Sequence, residues 1–460
     1  MSEARAFYPP TPPLRGEEIV ASPFGLVTYF RSMARNPLET WGPRAFRTPV
    51  IPLDFLGRRY VILNDPQAIR HCFVTNAANY RLQQLRLTLL KPALRDGLIV
   101  AEGAVWKTTR RALTPIFTPR RVAGFAAAMR AEAETRRDRI LMRGDAAFSL
   151  RDEMLDFALD VLIACLFSEE GDFDRARFSR NVTRLLDIGG TPHPFDLLRA
   201  PSFVPRIGRA DLSPVVEDLR EQVRAILERR RKSAASAEPA DFLSLLMQAG
   251  VEEGTPLGDD GVIDNLLTFL TAGHETTARA LAWALYALSE APDIRARVEA
   301  ELDAAALDPD HPEKWADALP FLEAVIKETL RLYPPAPHLA REAIGADRVG
   351  DIDIGPGTEA HMSPWLLHRQ ETLWRDPGLF DPTRFLSEEG AAIDRFQFLP
   401  FGVGPRVCIG ASFSMQEMTI ALATFLSAMR IDHVAATPPV PILRITLQPS
   451  TPIMARARQR

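Results

Sequence analysis

Cys408 sits in the run FGVGPRVCIG, residues 401–410, and a long helical pattern, ASFSMQEMTIALATFL, follows at once. A cysteine just ahead of a helix N-terminus meets the positive end of the helix dipole and its free amides, which favour the thiolate. A thiolate in that setting is a strong metal ligand. Gly402, Gly404 and Gly410 let the backbone take positive φ or approach a neighbour closely. Arg406, just ahead of the cysteine, offers a rigid cationic fork to a carboxylate. The plainer alternative is a Gly-rich turn around a structural cysteine. A nucleotide loop does not fit, because neither G-x-G-x-x-G nor a G-K-[ST] ending is present.

A second group is Ala272-Gly273-His274-Glu275-Thr276-Thr277, inside LLTFLTAGHETTARALAWALYAL. Glycine costs about 1 kcal/mol against alanine within a helix, and buried polar groups are expensive without partners. Four polar side chains beside a glycine therefore point to a groove facing a ligand and water. There the glycine removes bulk, a hydroxyl donates to a small molecule and the carboxylate relays protons. A satisfied polar cluster at a helix–helix contact is the competing reading. The metalloprotease pattern is excluded, since Ala278 stands where its second histidine belongs. Glu328 and Arg331, in FLEAVIKETLRLY, share a helix face. Taken alone, such pairs are mostly solvated surface ions.

Helices must position these residues. From about 66 to 305 apolar residues recur three and four apart, most clearly at 119–141, 151–167 and 213–231. The helix carrying 272–277 starts near Asp259–Asp260, acids suited to the positive helix end, and stops at Ala291-Pro292. At about 1.5 Å per residue it is roughly 45 Å long, and being apolar nearly all round it belongs inside the protein. Another helix takes proline in its first position at Leu319-Pro320 and ends before Pro334-Pro335. Strand patterns are short: VIPLDFLGRRYVILND (50–65) reads as a hairpin, DIDIGPGTEAHM (351–362) as another around Gly-Pro-Gly, with a weak pattern at 440–456. Residues 1–45 read as an irregular lead-in and 46–460 as one domain, mainly α with small β-sheets. Neither the Pro- and Phe-rich connection 191–209 nor the polar linker 232–240 is long enough to divide it.

The 55 basic and 59 acidic side chains leave a net charge of −4, which removes the electrostatic footprint of a general nucleic-acid binder. Cys72, Cys165 and Cys408 are too few and scattered for a disulfide framework or a cysteine zinc site, so a reducing compartment is expected. The longest apolar run, Ala280 to Leu288, is far shorter than the about 20 residues a spanning helix needs. The N-terminus lacks a signal-peptide pattern. A cytoplasmic protein with no membrane anchor is expected.

In this order, FGVGPRVCIG, AGHETT and ETLR closely resemble the motifs of the cytochrome P450 haem-thiolate monooxygenases. GAVWKTTRR (103–111) is similar to that family's Trp-x-x-x-Arg helix, and FDPTRF (380–385) to its Pro-x-Arg-Phe segment, with Thr383 where an acid is usual. The resemblance covers roughly residues 50–456. It implies the single-domain fold of that family, with haem b between the long central helix and the Cys-loop helix. It makes Cys408 the axial thiolate on iron, with Phe401 near the sulfur and Gly402, Gly404, Gly410, Ala272 and Gly273 close around the haem. Trp106, Arg110, Arg341 and Arg406 would hold the propionates, with His338 a further contact. Glu328, Arg331 and Arg384 would form a structural triad behind the haem. Glu275 and Thr276 would be the acid–alcohol pair of proton delivery. That pair argues for monooxygenation over a peroxide-using peroxygenase, or a haem sensor or electron carrier without turnover.

The same resemblance implies a separate electron donor, a small acidic ferredoxin with an NAD(P)H-dependent reductase. Lys107, Arg110, Arg111, Arg120 and Arg121 would lie where it docks, a solvated basic face being the alternative. O2 and a lipophilic small molecule are the expected substrates, and a monomer the expected state. Segments 80–95, 186–209 and the loop after Pro334 are expected to line the pocket. Their Leu, Phe, Pro and Ile favour an apolar substrate, a fatty acid or a terpenoid. Arg81, Arg86 and Arg95 are the candidates to meet a fatty-acid carboxylate.

Overall fold

In the computed structural model the apolar stretch around residue 272 is one unbroken helix, Gly258–Glu290. The structure describes residues 6–21, 24–55, 57–167, 174–189, 193–197, 204, 211–233, 241–251, 257–386 and 388–460. The helices used below are α1 (Gly25–Arg35), α2 (Gln84–Leu94), α3 (Gly103–Leu113), α4 (Ala126–Leu141), α5 (Leu150–Phe167), α6 (the long helix), α7 (Pro320–Leu332) and α8 (Ala411–Ala428). α6 is sheathed by α5, α7 and α8, and α8 also packs on α4. Leu266, Leu270, Leu281 and Leu285 of α6 share one core with Phe157, Leu162, Leu322 and Phe425. Each such side chain contributes about 1.5–3 kcal/mol by leaving water. α5 packs tightly at Gly273: a Cβ there would stand 3.2 Å from Leu162.

Five short strands form a sheet in the order β1 (Val50–Phe55), β2 (Arg58–Leu63), β5 (Glu359–Met362), β4 (Leu339–Ala343), β3 (Tyr80–Leu82). β1 and β2 are the expected hairpin, turning through Gly57 at φ +73°. Because successive side chains alternate, Val61, Leu63, Ala343, Ala360 and Met362 face one way, into a second core with Phe73 and Leu399. The other face carries Tyr60, Arg81, Glu342, Glu359 and His361.

Three expectations are revised. Residues 351–362 are not a hairpin: Ile352–Ile354 pairs back on Asp347–Val349, while β5 crosses to lie between β2 and β4. Gly350 and Gly357, both at positive φ, make two separate turns. The lead-in is not irregular, since it holds Gly16–Ala21 and α1. The helical pattern at 119–141 breaks into Pro119–Ala123 and α4. Most of the 191–209 connection and of the 232–240 linker lies outside the described residues.

Candidate functional site

The cysteine loop is a tight return. The Cys408 amide donates to the Phe401 carbonyl at 2.9 Å, and Val407 to Gly404 at 3.0 Å. Gly402 and Gly404 sit at φ +72° and +76°, a region costly for other residues. A Cβ on Gly404 would lie 2.0 Å from the Phe73 carbonyl oxygen. Gly410 is under no such constraint: its φ is −90° and its added Cβ would meet only Phe117, at 3.8 Å. Of the three cysteines Cys408 alone is exposed. Burial pushes the Cys72 thiol up to about 11 and raises that of Cys165 as well, so both stay protonated. Burial raises the Cys408 thiol too, but there the Gly410 amide and Arg110 oppose it, and as the exposed one of the three it is the thiol free to bind.

Beside this loop lies an excess of positive charge. Arg406 donates to the Ala101 carbonyl at 2.8 Å and lies over the Trp106 ring at 4.6 Å. Arg341, from β4, donates to the Ala340 carbonyl at 2.9 Å and lies over Phe73. Burial, followed by repulsion from Arg86 and Arg406, brings Arg341 down to about 9. Arg406 falls to about 10, again chiefly by burial, with Arg86 adding to it. Arg86 of α2 has a buried Nε without a partner. Glu102 is the acid that opposes Arg341 and Arg406. Such a cluster is costly unless anions enter it, and the two propionates of haem b are of the right kind and number. Arg110 stands apart, donating to the Val407 carbonyl at 3.0 Å, next to Cys408. His338 bonds through Nε2 to His361, at 2.9 Å.

Between Val262 and Leu288, α6 is buried everywhere except at Phe269, Ala272, Gly273 and Thr276. Their spacing of three and four makes one accessible stripe. Thr276 Oγ1 donates to the Ala272 carbonyl at 2.7 Å, so its lone pairs remain to accept. Glu275 is buried behind it and takes Arg279 Nη2 at 2.8 Å and Gln448 Nε2 at 3.4 Å on the same oxygen, while Oε2 is buried without a partner. Gln448 comes from β6 (Leu447–Pro449). His274 turns into the core, where burial lowers its pKa to about 4 and keeps it neutral. Thr277 meets Ser414 of α8 at 3.1 Å and also holds Glu417, whose pKa burial raises well above the carboxylate range. The polar run therefore divides: Thr276 faces the groove with Glu275 behind it, while His274 and Thr277 serve helix contacts. The bare Cα of Gly273, itself on the accessible stripe, also gives room to Leu162 of α5.

Glu328, Arg331 and Arg384 are all buried. Arg331 makes two bonds to Glu328, at 2.7 and 2.8 Å, and Arg384 a third at 3.2 Å. The remaining N–H groups of Arg331 hold the carbonyls of His368, Pro377 and Leu379. This ties α7 to the chain leading toward the cysteine loop. Among the described residues no three His, Cys, Asp or Glu side chains are grouped to hold a metal ion. A lone thiolate suits a metal that brings its other ligands with it.

The cytochrome P450 family model matches residues 44–456. Human "cytochrome P450 4F12" is 29% identical over 412 residues, covering 84% of this chain and 77% of that protein. Human "cytochrome P450 4F8" is 30% identical over 410 residues, 82% of this chain and 78% of its own. "Cyclooctatin synthase" of Streptomyces melanosporofaciens is 30% identical over 423 residues and 91% of each chain.

Proposed function

Because this chain belongs to the cytochrome P450 family, it is a haem-thiolate monooxygenase, and we propose that it oxidises a neutral lipophile, using electrons from a separate donor. One observation carries the site assignment: an exposed thiol on a glycine-strained loop stands beside a cluster of three guanidiniums, two of which face Glu102. Cys408 would ligate the iron, while Arg86, Arg341 and Arg406, with Trp106, would hold the propionates. Bound haem supplies dioxygen activation and oxygen insertion, the thiolate pushing electron density to favour O–O cleavage. The protein supplies position and protons. Thr276, its own hydrogen committed to Ala272, is left to accept a hydrogen bond from the groove. Glu275, tethered by Arg279, can take up a proton on its free oxygen and pass it toward Thr276.

Substrate class is argued from the lining. Leu87, Leu90, Ile99 and Phe269 are partly buried and apolar. Arg81 is bound to Glu342, Arg95 is exposed, and Arg86 faces the propionate cluster. That leaves none of these three for a fatty-acid carboxylate and favours a neutral skeleton of terpenoid kind. Lys107, Arg111, Arg120 and Arg121 are exposed. Gln416 of α8 bonds the Val122 carbonyl at 2.9 Å, which sets this basic face on the cysteine side and suits an acidic ferredoxin. In the test, the reduced carbon monoxide complex should show the red-shifted thiolate band. Cys408→His should lose it, and Cys72→Ser and Cys165→Ser should keep it. Survival of the band in Cys408→His would overturn the assignment.

A further inference from the structure

The polar face of the five-stranded sheet holds a chain of titratable side chains. Glu359 is buried and accepts from two donors: Arg58 Nη1 reaches Oε1 at 3.2 Å, and the Gln83 amide reaches Oε2. His361 Nε2 meets the same Oε2 at 3.1 Å, and its Nδ1 meets His338 Nε2 at 2.9 Å. The tautomers follow in sequence. Paired with Arg58, Glu359 is a carboxylate with no hydrogen to give, so the proton lies on His361 Nε2 and Nδ1 of that ring accepts. His338 must then carry its proton on Nε2, and its Nδ1 is left as a lone pair. No hydrogen bond to Nδ1 occurs among the described residues. Burial, and then the neighbouring His361, lower the His338 pKa to about 3, so the ring is neutral.

The chain is buried at its carboxylate end and opens at His338, which is partly accessible. Leu339 and Arg341 point the other way, since Leu339 Cδ1 lies 3.3 Å from where a Cβ on Gly402 would stand. Just upstream, the Pro335 carbonyl accepts from Leu447, whose neighbour Gln448 reaches Glu275 of α6. His338 therefore sits on a segment running between the cysteine loop and the groove. Arg58, Arg81, Glu342, Tyr29 and Tyr60 are the other polar groups of this face. A haem propionate would set lone pairs against the Nδ1 lone pair, so this geometry removes His338 from the propionate contacts that the sequence suggested.

We propose that Glu359, His361 and His338 form a relay that fixes His338 Nδ1 as a hydrogen-bond acceptor for the hydroxyl of an otherwise apolar substrate. This rests on the lipophile reading above and narrows it to an alcohol. His338 would touch the ligand, and His361 and Glu359 would be positioning residues.

Farnesol, its methyl ether and farnesoate share one skeleton and present a donor, an acceptor and an anion. Their dissociation constants come from optical difference titration of the ferric protein, after haem content has been matched. Wild type should bind farnesol about tenfold tighter than the ether, a single hydrogen bond's difference, with farnesoate weakest. His338→Leu should bind alcohol and ether within about twofold while keeping the ether affinity. His361→Phe, which leaves His338 in place but frees its tautomer, should lose most of the preference too. Equal affinity of wild type for alcohol and ether overturns the relay and leaves the lipophile reading standing. Full preference in His338→Leu overturns it as well. Absence of any spectral shift with all three compounds overturns both readings.

Discussion

Thr276 and Thr277 are adjacent threonines with opposite surroundings, which makes them a controlled pair. Thr276 is on the accessible stripe and Thr277 is bonded to Ser414. Thr276→Ala suits a helix and should keep haem content, yet product formed per NADH oxidised should fall, with the missing electrons appearing as hydrogen peroxide. General acid–base contributions of this kind reach about 10²–10⁴-fold when fully expressed. Thr277→Ala should leave coupling close to wild type, and equal coupling in both variants would remove Thr276 from proton delivery. Arg279 raises a separate question, because breaking a buried ion pair costs about 3–5 kcal/mol. Arg279→Met should lower the denaturation midpoint sharply. The double variant Arg279→Met/Glu275→Gln should recover most of it, since it leaves no unpaired carboxylate. Arg279 was readable in the sequence as the residue four beyond Glu275. Gln448 was not, because it arrives from 173 residues away.

At the scale of elements, the cysteine loop and α7 carry predictions of opposite kind. Gly404→Ala places a Cβ 2.0 Å from a backbone oxygen at positive φ, so the loop must move. Haem retention should drop severely while far-ultraviolet circular dichroism stays near wild type. Gly410→Ala, with only Phe117 in reach, should retain haem, and similar haem loss in both would refute the steric account. Glu328→Ala strands Arg331 and Arg384 without their carboxylate and should cost about 3–5 kcal/mol, read as a fall in urea midpoint. The long helix and α7 were legible because their signals are local: a 3.6-residue period, acids or proline at the start, proline beyond the end. Residues 351–362 misled because the same kind of local evidence cannot say which sheet a strand joins. β5 pairs with β2, remote in sequence, on one side, and on the other with β4, across the intervening Asp347–Ile354 hairpin. The Glu359–His361–His338 chain follows from that pairing and was hidden with it.

At the scale of the whole molecule, charge decides how an electron donor approaches. The chain carries a net charge of −4, so an acidic ferredoxin is repelled on average and must be attracted locally. In the docking proposed above, the exposed Lys107, Arg111, Arg120 and Arg121 would supply that attraction. Their field reaches only about 8 Å at physiological ionic strength, so it acts on the final approach and chiefly on the association rate. The charge-reversed variant Arg120→Glu/Arg121→Glu should therefore lower the second-order rate of reduction by an acidic ferredoxin about tenfold at low salt. The gap should close as salt rises, because screening removes the attraction and the repulsion alike. Neither arginine touches the cysteine loop or the groove, so the carbon monoxide spectrum and ligand affinities should be unchanged in the same preparation. Stopped-flow reduction across a salt series reads all of this at once. A wild-type rate indifferent to ionic strength would mean that the donor docks elsewhere, and that these side chains form only a solvated face.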